Sequence, residues 1–254
     1  MFYGYGFICL LIDGSGLLDV VVIVVVTSEV VEVEDIIGGV EARKIILKKL
    51  LDGPKSGVEL RHALAVAFNR PVTEISDAML YFNLQALENA GLIRRNRGRD
   101  NWKAKFAEIV PEKIQLVRKY FGISVPIVCI GGLDDPEHVR GMRRVLRSDN
   151  NLVPSKYIFV ISSNFKRKIA GVPEDVVFEE FEEHILEEDF EEVYRKIRGI
   201  IEKEVATHEV ILDLTCGSRV CILSLFKIAW EFGLRCFYVQ RLGENEKRVI
   251  WIKS

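Results

Sequence analysis

This sequence has few of the residues that build disulfide frameworks or metal sites. Of its 254 residues, five are cysteine and four are histidine. The cysteine number is odd and no two cysteines are spaced as C-x-x-C, so we expect no disulfide framework. Most of the cysteines lie in apolar runs, which is typical of reduced, buried thiols in a cytoplasmic protein. The scattered histidines lack metal-ligand spacing and are interpreted as structural, and we expect neither a metal ion nor a cofactor.

A marked excess of charge is also lacking. The chain has 35 Lys and Arg against 37 Asp and Glu, a net charge of −2. Global charge therefore does not indicate a polyanionic partner, and any nucleic-acid surface has to arise from local clusters. Hydrophobic residues make up 49% of the chain and charged residues 28%, which is ordinary for a globular protein. The length suits two modest domains.

Residues 1–38 lack the uninterrupted apolar run of a membrane helix. The stretch from Phe7 to Val26 is broken by Asp13 and Asp19, and charge at the centre of a membrane helix is costly. The basic start of a signal peptide is also missing. The β-branched stretch DVVVIVVV favours strands, so we predict a β-rich extension with two short strands around a turn at 13–16. A membrane anchor and an unstructured extension are the alternatives.

Residues 39–110 change to a helical pattern that is followed by a hairpin. Helical spacing of apolar residues and capping signals predict three helices, at 41–51, 56–68 and 73–90. Gly91 suits the left-handed position after the third helix. Leu92 then starts a strand, whose partner is Trp102–Phe106 across a tip at 97–101. Three helices followed by a hairpin is the element order of a winged helix.

The stretch LQALENAGLIRRNRGRDNWKAKF, residues 84–106, resembles the winged-helix domains of bacterial and archaeal regulators. That family has a helix ending in L-x-x-L-x-x-x-G-L-I/V before a basic wing, and five residues match this pattern: Leu84, Leu87, Gly91, Leu92 and Ile93. The resemblance implies double-stranded DNA as a partner, with the wing on phosphates and the third helix at base edges. The candidate DNA-binding residues are Tyr81, Asn83, Gln85, Arg94, Arg95, Arg97, Arg99, Lys103 and Lys105.

The third predicted helix has a net negative charge, which does not suit a helix that contacts DNA bases. It contains Glu74, Asp77 and Glu88 but no Lys or Arg, whereas a helix in the major groove usually avoids net repulsion. The competing interpretation is therefore a winged helix used for dimerisation or protein docking.

Residues 111–123 predict a linker helix, and residues 124–254 alternate strands with helices. Such alternation predicts an α/β domain with a mostly parallel sheet covered on both faces. We predict its strands at residues 125–130, 157–161, 176–178, 210–214, 236–239 and 249–252, and its main helices at 135–146, 189–204 and 219–232. The helix at 219–232 is apolar nearly all round, which indicates burial against the sheet and against a second subunit of a homodimer.

The segment VILDLTCGSRVCILSLFKIAWEFGLRCFYV, residues 210–239, contains the pattern with the clearest chemistry. A glycine-containing turn that opens a helix presents N–H groups and a positive dipole end to an anion, and an arginine adds a planar fork for phosphate. Ligands of open α/β sheets bind at the carboxyl ends of strands. The candidate ligand-binding residues at those ends are Gly131, Gly132, Asp134, Ser162, Ser163, Thr215, Cys216, Gly217, Ser218 and Arg219.

This segment resembles the second signature of CRISPR-associated Rossmann-fold (CARF) domains, in which a strand ends in D-x-T-G-G-T-K. Asp213, Thr215 and Gly217 match, Ser218 keeps a hydroxyl and Arg219 keeps a cation, while Cys216 replaces the first glycine. The resemblance covers residues 124–254 and implies a Rossmann-like fold. It also implies a cyclic oligoadenylate bound across the two-fold axis of a homodimer. The expected function is a cytoplasmic regulator in CRISPR antiviral defence that senses this ligand and modulates DNA binding.

Other interpretations of the same residues stay open. Some CARF proteins cleave the ring slowly, and Arg219 would then be catalytic, but the first loop, residues 131–134, lacks a serine and an arginine rarely deprotonates. A non-catalytic protein-interaction module is a further alternative, as is a generic Rossmann-like turn. LDLTCGS also resembles the first turn of methyltransferases, although too few strands follow it. No nuclease motif is present, so we expect no dedicated nuclease.

Overall fold

The computed structural model describes residues 9–12, 18–21, 29–97, 105–150, 152–166, 173–241 and 247–253. Its helices are α1 (Glu29–Ile37), α2 (Glu41–Leu50), α3 (Gly57–Phe68), α4 (Asp77–Asn89), α5 (Ile114–Phe121), α6 (Pro136–Asn150), α7 (Ser163–Lys166), α8 (Glu183–Glu188), α9 (Phe190–Glu204) and α10 (Arg219–Phe232). Its strands are β1 (Cys9–Ile12), β2 (Leu18–Val21), β3 (Lys55–Ser56), β4 (Ile93–Arg97), β5 (Lys105–Ile109), β6 (Ile127–Gly132), β7 (Lys156–Ser162), β8 (Val176–Phe181), β9 (Glu209–Asp213), β10 (Arg235–Arg241) and β11 (Lys247–Lys253).

The N-terminal segment is only partly the β-rich extension that we predicted. Strands β1 and β2 pair antiparallel, with Ile12 opposite Leu18, and this confirms two short strands; their turn at 13–16 lies outside the described residues. The assignment is wrong for residues 29–37, which form α1. Val33 and Ile37 are four residues apart and fully buried, so helical packing outweighs the strand preference of valine. No helix of the described ranges has the length and apolarity to cross a membrane.

Three helices and a small antiparallel sheet follow in the predicted order. The sheet has the order β3-β5-β4, and β3 is a short strand that the sequence pattern did not indicate. A capping box between Ser56 and Glu59 starts α3. The start of α4 was predicted wrongly: residues 72–74 form a 3-10 turn, and Ser76 rather than Thr73 caps the helix. Gly91 has the expected positive φ, +69°.

The C-terminal part is a six-stranded sheet with helices on both faces. Its strand order is β11-β10-β9-β6-β7-β8, and only β11 runs antiparallel to its neighbour. This is the doubly wound order of a Rossmann-like sheet with a terminal hairpin. The central strands are apolar throughout because α6 covers one face and α9 and α10 cover the other. The predicted mostly parallel α/β sheet is confirmed.

Helix α5 joins the two parts through polar contacts with the far end of the sheet. Arg118 is 6% exposed and donates to the carbonyls of Val205 at 2.7 Å, Ala206 at 2.5 Å and His208 at 3.1 Å. These carbonyls follow the end of α9. The side chain of Gln115 accepts from the backbone N–H of Val210 at 2.5 Å, and it thereby satisfies a backbone donor near the start of β9. The linker helix is therefore bonded to the α/β part through polar side chains, while its Val117 is buried in the core of the N-terminal helices.

Candidate ligand site

The candidate site lies where the strand order of the sheet reverses. Strands β6 and β9 are neighbours at the centre of the sheet, and the chain leaves them towards opposite edges. In doubly wound sheets this switch point opens a crevice at the carboxyl ends of the strands. The loop after β6, residues 133–135, and the turn after β9, residues 214–218, both lie at this crevice.

Glycines allow those two segments to touch. A Cβ atom on Gly132 would lie 2.5 Å from the carbonyl oxygen of Cys216 and 2.8 Å from the Cα of Gly217. A Cβ on Gly131 would lie 2.9 Å from the Cβ of Asp213. Both glycines are buried, and the protein itself occupies the space beside them, so they allow the close approach of the two segments; their predicted contact with a ligand stays a prediction. Gly217 has φ +110°, which a side chain would strain.

Several polar groups of the turn after β9 already form hydrogen bonds within the protein. Asp213 accepts from the N–H of Thr215 at 2.9 Å, and Asp134 accepts from the N–H of Gly217 at 3.2 Å. The Thr215 hydroxyl accepts from the N–H of Val239 at 2.8 Å. Two amides that we expected to be free for an anion are therefore occupied, whereas the Thr215 hydroxyl only accepts here and keeps its O–H as a donor.

Ser218 holds the first turn of α10. Its hydroxyl accepts from the N–H of Cys221 at 3.1 Å and donates to the carbonyl of Leu186 at 2.6 Å. This is an N-cap, which satisfies one of the amides that a helix leaves without an internal partner. The amides of Arg219 and Val220 precede Cys221 and lack an acceptor within the helix. They are candidate donors for an anion at the start of α10.

A buried pair that our sequence reasoning missed lies beneath the turn. The Nε2 atom of His138 is 2.6 Å from a carboxylate oxygen of Asp213, and the two side chains are only 5% and 0% exposed. Because Asp213 also accepts from Thr215, His138 on α6 fixes the carboxylate that shapes the turn. The two residues are 75 positions apart in the chain, so only the fold brings them together.

Arg219 is the single cation within residues 133–135 and 213–219. The acids in the same two segments are Asp134, Asp135 and Asp213. Arg219 is exposed at the start of α10, and within the described ranges it makes neither an ion pair nor a side-chain hydrogen bond. Cys216 is partly exposed beside it. Burial, followed by the charges of Asp134 and Asp213, raises the pKa of the Cys216 thiol. The thiol is therefore protonated at neutral pH and is not a nucleophile.

Ser162 and Ser163 lie further along the same edge of the sheet. Ser162 accepts from the N–H of Phe165 at 3.2 Å, and Ser163 donates to the carbonyl of Phe181 at 3.0 Å. Ser163 also borders an open hollow of about 480 Å³ whose other lining residues are Asn164, Glu182, Glu183, His184, Glu187 and Glu188. The serine hydroxyls thus act within the protein, and this side of the site is strongly acidic.

The candidate DNA-binding residues are not all accessible. Asn83 is 5% exposed and donates to the carbonyl of Met79 at 2.8 Å; its predicted role in base reading is wrong because it lies in the core. Gln85 binds Asn89 and Arg95. Tyr81 is 48% exposed.

Two basic residues of the wing have acidic partners in the structure. Arg94 pairs with Glu108 at 2.7 Å, and Arg95 pairs with Glu88. The side chains of Arg97 and Lys105 are outside the described part of the structure, as are Arg99 and Lys103 entirely. The described portion of the wing is therefore largely neutralised.

No family model and no curated protein matches this chain. Three solved structures with low similarity are Can2 from Sulfobacillus thermosulfidooxidans in complex with cyclic tetra-adenylate, protein VC1899 from Vibrio cholerae, and Enterococcus italicus Csm6 bound to cyclic hexa-2′-fluoro-hexa-dAMP. Their sequence identities are 15%, 19% and 11%, and each has a TM-score of 0.34. The alignments cover 48%, 50% and 47% of this chain and 36%, 36% and 35% of those chains. This chain therefore matches about a third of their length, and its function has to be argued from its own residues.

Proposed function

We propose that residues 124–254 form a CARF-type sensor that binds a cyclic oligoadenylate at the β6/β9 switch point. The N-terminal part, residues 39–110, then acts as a winged helix whose DNA binding responds to that ligand. Residues 111–123 connect the two units. In this proposal the protein is a homodimeric regulator in CRISPR antiviral defence.

The observation that carries the proposal is the position of Arg219. Its guanidinium is exposed and unpaired within the described residues, and it stands at the start of α10 beside the contact between Gly132 and Gly217. A planar cation next to helix-terminal amides suits a phosphate. Asp213, Thr215 and Gly217 keep the positions of the CARF signature around it. Because the nearby side chains are acidic, Arg219 has to supply most of the attraction for an anionic ring.

The outer face of α10 supports a dimer. Leu223 is 59% exposed and Trp230 is 51% exposed, and residues seven apart lie on one face of a helix. A large exposed apolar patch commonly marks a protein interface. A two-fold pairing through this face places two copies of Arg219, which lies on the same face as Leu223, near one axis.

Binding is favoured over cleavage of the ring. The hydroxyls of Ser163 and Ser218 donate to carbonyls within the protein, and the raised pKa of the Cys216 thiol keeps it protonated. Guanidinium groups do not act as bases in proteins, so Arg219 suits binding of the ring rather than its cleavage.

A protein-docking role for the N-terminal part is the second candidate, because α4 presents aromatic side chains. Phe82 is 70% exposed and Tyr81 is 48% exposed, and α4 contains no Lys or Arg. Aromatic residues with few charges are typical of the centre of a protein interface. DNA binding by the wing and protein docking by α4 are separable, since they use different surfaces.

Calorimetric titration of cyclic tetra- and hexa-adenylate into the purified full chain tests the proposal. We expect one ring per two chains, and we expect Arg219→Ala to weaken binding at least about tenfold, because a charged phosphate contact is worth roughly 1.5–3 kcal/mol. The matched control is Arg195→Ala, which removes another exposed arginine, on α9. No heat with either ring, or equal weakening by both substitutions, would refute the sensor function.

A further inference from the structure

Helix α6 carries a row of arginines that the proposed ligand site does not use. Arg140, Arg144 and Arg147 are exposed, and their spacing of four and three residues places them on one face of the helix. The opposite face is buried against the sheet through Val139, Met142, Val145 and Leu146. The three guanidinium groups therefore point away from the core.

Among the described residues these three arginines have no side-chain partner, whereas many other arginines do. Within the described residues, none of the three makes an ion pair or a hydrogen bond through its side chain. Their neighbour Arg143 differs, because it binds Asp175 at 2.6 Å and lies 4.5 Å over the ring of Tyr157. Arginines elsewhere that form ion pairs are Arg61, Arg94, Arg95, Arg198 and Arg235.

Helix stability does not account for this row. Like charges three or four residues apart destabilise a helix by about 0.2–0.5 kcal/mol per pair. Arg147 lies in the last turn, where a cation is favourable, but Arg140 and Arg144 lie outside that turn. The single acid among the described exposed side chains of α6 is Glu137, and it forms no ion pair with them. The row thus opposes folding slightly and calls for a different explanation.

Lys247 adds a fourth cation to this side of the sheet. It projects from β11 over α6, and a Cβ atom on Gly141 would lie 2.5 Å from its ammonium nitrogen. The absence of a side chain at Gly141 therefore lets the lysine lie across the helix. The arginine row and Lys247 lie on the same side of the sheet, and we call this surface the α6 face.

We propose that the α6 face binds the phosphate backbone of a nucleic acid. Arg140 and Arg147 are about 10 Å apart along the helix axis, which corresponds to roughly three nucleotide steps of a strand. Guanidinium groups suit phosphate geometry. Among the described residues, the exposed side of α6 has no large apolar side chain, whereas a protein interface needs an apolar centre and a membrane-surface helix needs an apolar face. This surface is distinct from the wing and from Arg219.

Fluorescence anisotropy with labelled 20-nucleotide single-stranded RNA, single-stranded DNA and duplex DNA of one sequence tests this inference. The variant is Arg140→Gln/Arg144→Gln/Arg147→Gln in the full chain. We expect at least about tenfold weaker binding to one or more of the probes in low salt, and a salt slope lower by roughly 2–3, since three phosphate contacts are lost. The three probes show whether RNA or DNA is the partner.

A second triple variant, Arg70→Gln/Arg195→Gln/Lys203→Gln, is the control. It removes the same charge from exposed residues on other elements, and it should bind like the parent. Thermal melting provides a check on folding: the α6 variant should melt no lower than the parent because repulsion is relieved. Equal weakening by both triple variants, unchanged binding by the α6 variant, or no binding by any chain would overturn the inference. The inference would also be overturned if the parent chain bound anionic vesicles but none of the nucleic acids and the α6 variant lost that binding.

Discussion

Gly132 determines how closely β6 approaches the turn after β9. Replacing it with alanine would put a methyl group 2.5 Å from the Cys216 carbonyl, which forces backbone to move. We expect Gly132→Ala to lower the free energy of unfolding by about 1–3 kcal/mol, measured by urea denaturation. Gly199→Ala is the matched control, because a Cβ there meets nothing within 4 Å. Because Gly199 lies within α9, its replacement by alanine should raise the free energy of unfolding by about 0.5–1 kcal/mol. Equal effects of the two substitutions would contradict the close-packing explanation.

The protonated state of Cys216 is a second property of a single residue. Burial and the charges of Asp134 and Asp213 raise its pKa, so the reactive thiolate is rare at pH 7.5. We expect iodoacetamide to modify it about tenfold more slowly than free cysteine, or slower still. Asp134→Asn should speed this reaction, because removing a negative charge lowers the pKa of the thiol.

The modification rate is measured in a Cys9→Ser background. Cys216 is then the one cysteine of the described residues whose side chain is not buried. Asp52→Asn, which removes an exposed acid on the other part of the chain, should leave the rate unchanged. An Asp134→Asn rate equal to that of the parent would show that this carboxylate does not control the thiol.

At the scale of residues, the sequence indicated candidate side chains but not their partners. Asp213, Thr215 and Gly217 could be selected because they adjoin one another at the end of an apolar strand. The contact between His138 and Asp213 could not be selected, since 75 residues separate them. The burial of Asn83 was also missed, because a helix with few charges gives little indication of which polar residue faces inward.

Among secondary-structure elements, α5 has the most specific contacts. Arg118→Met removes three hydrogen bonds from the carbonyls after α9 while keeping a long apolar chain. Buried carbonyls without donors are costly, so we expect a loss of about 1–3 kcal/mol in the free energy of unfolding. Lys119→Met, at an exposed neighbouring position, should change it little. Denaturant unfolding followed by tryptophan fluorescence compares the two variants, and similar midpoints would refute the role of Arg118.

The elements themselves were predictable to different degrees. Helix α10 was predicted at 219–232, and the structure has it at Arg219–Phe232, because Ser218 and Gly233 mark its ends. Helix α1 was not predicted, since residues 29–37 were included in the β-rich extension and its valines favour β structure when considered without their spacing. Strand β3 has two residues, too few for any periodicity. Short elements depend on their tertiary neighbours, which sequence patterns do not reveal.

For the whole molecule, the alternation of strands and helices was sufficient to predict a mostly parallel sheet. It was not sufficient for the strand order β11-β10-β9-β6-β7-β8, which depends on where each crossover returns. That order makes β6 and β9 neighbours and thus creates the candidate site. The distribution of charge also became visible only in three dimensions, with acids around the hollow at Ser163 and cations on the α6 face.

The contacts of Arg118 also constrain the order of events during synthesis. This arginine leaves the ribosome 87 to 90 residues before the carbonyls it binds, an interval of roughly 4–18 s at ordinary elongation rates. Helices α1–α4 and the small sheet are synthesised by then, as is Val117 of α5, which is buried in their core. The polar contacts of Arg118 therefore belong to a late stage of folding, and a ribosome that stalls before Val205 would hold an N-terminal unit whose α5 still lacks its α/β partner.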